Sequence, residues 1–204
     1  MAILPELLPL RYADARPLIK TGDLLLWEPT SLMGLLIAKY SDGPFSHVAS
    51  ASWCGGILET HEMLQWYGGR TVNLSAMVRM YPGRIHVYRA RKLHNREFSE
   101  AQRRRAGESY GWGTLLAAGI NKLLGIGRRI HLCNVNPEYK DKDSLWEALY
   151  RTPLDHPAIC SEAVASDLRR AGCQIYPELA AWEITPNMIA DATGYLFTLF
   201  WEDN

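Results

Sequence analysis

A cysteine, a histidine and an acid are the residues of this chain whose types and spacing point to chemistry, and the cysteine comes last. Cys160 lies in "DHPAICSEAVASDLRRAG". There Pro157 suits a first turn, and Ile159, Ala163, Val164 and Leu168 mark one apolar face. These predict a helix with Asp155 as its N-cap and Gly172 as its stop. A cysteine within about a turn of a helix N-terminus sits at the positive end of the dipole, which favours thiolate over thiol. The helix alone leaves a small, packed core residue as the competing reading.

A nucleophilic thiolate needs a base within hydrogen-bond reach, and the base needs an orienting group. Of the six histidines, His47 stands in "PFSHVASA", where Ala49 and Ala51 share its strand face and leave room for another element. On the next strand, "GILETHEML", one face carries Ile57, Glu59, His61 and Met63. An unpaired carboxylate among apolar neighbours is costly. Glu59 is therefore expected to return across the hairpin and hold His47, with an ordinary exposed cross-strand pair as the alternative. His86, His94 and His131 have no partner implied by spacing, and His156 reads as a helix-entry residue.

The elements that must position these residues are legible in outline. "TGDLLLWEP" predicts a strand over Asp23 to Trp27, and "TSLMGLLIAKYSDGP" a short helix with a Ser or Thr cap. Gly55-Gly56 marks the turn of a hairpin carrying His47 and Glu59. "TVNLSAM" and "RIHVYRAR" read as further strands. "NREFSEAQRRRAGESYG", "GWGTLLAAGINKLLGIGRR", "KDSLWEALYR" and "TPNMIADA" read as helices, and "YLFTLFW" as a closing strand. Within the first of these helices, Arg103-Arg104-Arg105 reads as a solvated face. Strands first and helices later predict one α+β domain over residues 1–204, with an antiparallel sheet packed against helices.

Composition excludes several classes. The net charge is zero, so no global field draws the chain to nucleic acid. Hydrophobic residues make up 48%, enough for a sizeable core. Cysteines at 54, 133, 160 and 173 form no CxxC pair, which points to reduced thiols and a cytoplasmic location. No basic n-region precedes the apolar start and no run reaches a membrane-spanning length, so neither a signal peptide nor stable membrane insertion is expected. Oligomeric state is not readable.

"TGDLLLW…SDGPFSHVAS…GGILET…AICSEAV" resembles the circularly permuted NlpC-type papain-like cysteine hydrolases of the YaeF/YiiX group, with lecithin–retinol acyltransferase as a distant relative. The resemblance rests on Gly22-Asp23-Leu24, Ser46-His47-Val48, Glu59 and Cys160-Ser161-Glu162, in that order. It implies a papain-like fold with the nucleophile at a helix N-terminus. It also implies a partly helical insertion at about 92–155, which matches nothing recognisable and is where substrate selection would reside. The implied catalytic set is Cys160 as nucleophile, His47 as base and then acid, and Glu59 as orienting group. The Cys160 backbone N–H would donate to the oxyanion, and Tyr40, Asp42 and Ser161 are candidates for further substrate or oxyanion contacts by position. Glu162 reads as a first-turn acid that favours the dipole.

The expected reaction proceeds through an acyl-enzyme on an amide of peptide or peptidoglycan type, without cofactor or metal. Lipid acyl hydrolase or acyltransferase chemistry on an ester or thioester is the alternative within the enzyme class. Two rivals lie outside it: a papain-like binding module without turnover, and a metal site built from His47, Cys54, Glu59 and His61. The latter lack the paired spacing of a zinc site.

Overall fold

β2 (Leu24–Trp27) is buried along its whole length because both its faces are covered. Leu24 and Leu26 enter one core, and Leu25 and Trp27 the other. A computed structural model describes residues 9–111 and 158–201 of the chain. Around β2 run β1 (Leu10–Arg11), β3 (His47–Cys54), β4 (Ile57–Leu64), β5 (Gly68–Asn73), β6 (Ile85–Arg89) and β7 (Gly194–Phe200). They form one seven-stranded sheet in the order β1-β7-β6-β2-β3-β4-β5.

The sheet is mixed rather than antiparallel throughout. Each neighbouring pair is antiparallel except β1 and β7, which run parallel at one edge. Beside it stand α1 (Tyr12–Ala15), α2 (Leu32–Tyr40), α3 (Leu74–Met80), α4 (Asn95–Arg104), α5 (Cys160–Arg170) and α6 (Pro186–Ala192). One core holds Tyr12, Ala15, Leu74 and Val78 of α1 and α3. The other holds Phe98 of α4, Ala163, Val164 and Leu168 of α5, and Ile189 of α6.

Several boundaries match the expectation and one does not. α2 begins on Ser31, whose hydroxyl accepts from Gly34 N–H at 3.1 Å. α6 begins on Thr185 with Pro186 in its first turn. "TVNLSAM" divides: Thr71 to Asn73 end β5, and Leu74 starts a helix. Asn73 causes the switch, because its side chain accepts from the N–H groups of Ser75 and Ala76 and so caps α3. The helices expected over "GWGTLLAAGINKLLGIGRR" and "KDSLWEALYR", the greater part of the expected insertion, and the residues Asp155, His156 and Pro157 lie outside the described residues.

Among the described residues no helix is long and apolar enough to cross a membrane. α2 nonetheless exposes most of its apolar side chains, Leu32, Met33, Leu35 and Leu36, and buries only Ala38.

Candidate active site

Cys160 is the first helical residue of α5, and Ile159 is the N-cap. The Ile159 N–H donates to Glu162 Oε2 at 3.2 Å, so Glu162 closes the first turn from within. At the other end Gly172 has φ +88°, its N–H donates to the Arg169 carbonyl at 3.1 Å, and Cys173 N–H reaches the Leu168 carbonyl at 2.9 Å. That is a Schellman stop, and it places the expected Gly172 at the position where a side chain would be strained. The thiol itself is buried.

His47 opens β3, opposite Trp27 of β2. The loop that delivers it, from Ser41 to Ser46, is fastened by the buried Asn187 of α6. Asn187 Nδ2 donates to Ser41 Oγ at 2.6 Å and to the Phe45 carbonyl at 3.0 Å, while its Oδ1 accepts from Phe45 N–H at 3.0 Å. Gly43 lets Asn187 approach, since a Cβ there would overlap the amide.

His47 and Cys160 share a hydrogen bond, and the Cys160 sulfur also meets backbone groups of Val48 and Ser161. The second partner of His47 is Glu62, not Glu59: His47 Nε2 lies 3.1 Å from Glu62 Oε2. The register explains the difference. The Gly55-Gly56 turn pairs Cys54 with Ile57, so Ser52 faces Glu59 and Ala49 faces Glu62. Glu62 thus shares the strand face of Ala49 and comes within reach of His47, whereas Glu59 lies near the hairpin tip and pairs with Arg103 at 2.9 Å. Glu62 is in turn held by Arg70, its cross-strand partner in β5, through Nε at 2.7 Å. Glu62 has only 1% of its side chain exposed.

The electrostatics follow from this line of contacts. Burial alone would lower the His47 pKa, but the hydrogen bonds and negative charges of Cys160 and Glu62 outweigh it and push it up to about 10. Burial works against the Cys160 thiolate as well, yet His47 and the two backbone groups bring its pKa down. Burial opposes ionisation of Glu62, while His47 and Arg70 hold it below the usual carboxylate range. Each shift favours the charged form: thiolate on Cys160, imidazolium on His47 and carboxylate on Glu62.

Of the further candidates, Ser161 is buried directly after Cys160. Tyr40 ends α2 half-buried, and Asp42 is exposed with φ +53°. His47 and Cys54 occupy the two ends of β3, about 23 Å apart at strand rise, so they cannot share one metal with Glu59 and His61.

Tyr110 was not anticipated. It is buried in the same core as Cys160, hydrogen-bonds Gln65, and feels the charge of Cys160; burial is the main cause of a raised pKa that keeps its hydroxyl protonated. Gly111 N–H donates to the Ala158 carbonyl at 3.0 Å, which lays this segment alongside the approach to Cys160. An aromatic residue in "ESYGWG" carries no such signal in the sequence.

No family model matches the chain. No curated protein matches it either. Among solved structures it is similar to the metalloprotein YiiX of Escherichia coli O157:H7 (DUF1105), with a TM-score of 0.51 and 13% identity over 76% of this chain and 68% of that one. The chain thus shares the general fold of a YaeF/YiiX protein, at a distance where the likeness is one of architecture alone.

Proposed function

We propose that the protein is a cysteine hydrolase that works through an acyl-enzyme on Cys160. The observation that carries this reading is the line Cys160–His47–Glu62–Arg70, buried at Cys160 and Glu62, with the cysteine on the first turn of a helix. Cys160 Sγ attacks a carbonyl carbon and the oxygen takes the electron pair. The Cys160 backbone N–H at the head of α5 donates to that oxyanion, and Tyr110 O–H supplies the second donor. Glu62 occupies Nε2 of His47, which leaves Nδ1 to give its proton to the departing amine as the C–N bond breaks. Water, deprotonated by His47, then releases the acid and restores the thiolate.

The substrate class we favour is an amide of peptide or peptidoglycan type. A lipid acyl substrate is the second reading. It is supported by the exposed Leu32, Met33, Leu35 and Leu36 of α2 and by Trp66 and Tyr67 in the β4–β5 turn. α2 and that turn flank His47 at one end of the sheet. The residues of the metal-centre alternative are spread along β3 and β4, and among the described residues no group of three or more His, Cys, Asp or Glu is placed to hold a metal ion.

The test is chemical. Iodoacetamide is expected to modify Cys160 at least tenfold faster than Cys54 at pH 6.5, and His47→Ala should abolish that advantage. Equal rates for the two cysteines would remove the activated nucleophile. Mass measurement of an adduct trapped on Cys160 then separates a peptidyl from a fatty acyl group.

A further inference from the structure

Arg105 closes a run of three arginines that reads as solvated, yet only 15% of its side chain is exposed. Its guanidinium grips Asp167 of α5 with two bonds, Nε to Oδ2 at 2.7 Å and Nη2 to Oδ1 at 2.9 Å. Asp167 is buried and also receives Gln102 Nε2 at 2.7 Å. Seven residues separate Asp167 from Cys160, so both lie on one face of α5. With its remaining nitrogen, Nη1, Arg105 holds Glu108 at 3.1 Å.

Glu108 belongs to the segment that leads to Tyr110, and that segment is pinned on a second side. Gly69 N–H donates to the Glu108 carbonyl, and Gly107 N–H to the Gly69 carbonyl, each at 2.8 Å. The approach is so close that a Cβ on Gly68 or Gly69 would overlap the carbonyl oxygens of Glu108 or Arg105. One side chain thus ties the helix that carries the nucleophile to the segment that carries the tyrosine.

We propose that Arg105 is a positioning residue that sets the placement of Tyr110 against Cys160 during acyl transfer. This rests on the acyl-enzyme reading given above. A lysine keeps the charge but cannot make the two-pronged bond to Asp167 while holding Glu108. The predicted result is a tyrosine out of register beside an intact thiolate.

Two probes separate these functions. Alkylation by iodoacetamide needs only the thiolate, whereas burst acylation by p-nitrophenyl acetate also needs the oxyanion donors. Arg105→Lys should leave the alkylation rate and its pH midpoint within twofold of the parent and slow acylation about tenfold. In a Tyr110→Phe background the same substitution should change acylation by less than twofold. Should Arg105→Lys fail to fold, the double variant Arg105→Leu/Asp167→Leu leaves no buried unpaired ion and is read in the same way. Equal slowing of alkylation and acylation would overturn the proposal, because it marks a general loosening of α5. Independent, multiplying effects of the Arg105 and Tyr110 variants would overturn it too. If the parent Cys160 alkylates as an ordinary thiol, it is the acyl-enzyme reading that fails.

Discussion

His47 touches a sulfur on one side and a carboxylate on the other, and this double attachment governs the expected response to pH. With its pKa near 10, His47 stays protonated throughout the neutral range and can serve as the acid for a leaving amine. Amide turnover should therefore fall as pH rises through about 10, while iodoacetamide modification of Cys160, which needs no acid, should show no fall there. A turnover profile declining near pH 7 would contradict the pairing. Glu62→Gln removes the nearest fixed negative charge from His47, so the alkaline limb should move to lower pH and the rate should drop roughly tenfold or more. Glu59→Gln should leave both unchanged, since Glu59 meets a half-exposed Arg103 whose ion pair contributes about 0–1 kcal/mol. Measuring the two variants side by side on one amide substrate decides which acid orients the imidazole.

At the scale of elements, the site depends on anchors that join distant segments. Asn187 makes three bonds to the loop before His47, and two of them satisfy the backbone of buried Phe45. Asn187→Ala strands those groups, at a cost of about 1–3 kcal/mol. Urea denaturation should register that loss, together with reduced Cys160 reactivity as His47 drifts. A variant with unchanged midpoint would show that water replaces the amide. The hairpin was readable from Gly55-Gly56, and so in principle was its register: counting back from that turn puts Ala49 against Glu62. What misled was parity. Ile57, Glu59, His61 and Met63 do share a face, but it is the face turned from Ala49 and Ala51. The strand-to-helix switch at Asn73 was hidden because "TVNLSAM" has strand-like residues and only the cap decides. Asp167 of α5 lies 62 residues from Arg105 and 65 from Gln102, so only tertiary packing brings it to them.

For the whole molecule, the order of the chain matters more than any one contact. Cys160, the proposed nucleophile, follows the strands that carry His47 and Glu62, on a helix laid over the sheet in which those two strands form one local hairpin. The α+β class and most of the described elements were legible from periodicity and caps, while the parallel β1–β7 edge was not, since a two-residue strand has no pattern. The Gly111–Ala158 hydrogen bond has a practical consequence. It joins Gly111 and Ala158, the described residues on either side of positions 112–157, two residues before Cys160. Joining two fixed points by a flexible linker costs only about 0.6 kcal/mol more per doubling of the linker's length. Tyr110 and Cys160 should thus tolerate a different excursion between them. Replacing 112–157 by a short Gly/Ser linker is expected to leave iodoacetamide modification of Cys160 within threefold of the parent, while substrate preference changes. An unchanged rate would mean that the described residues hold the reactivity of Cys160 by themselves, and a designer could then exchange positions 112–157 as a single cassette.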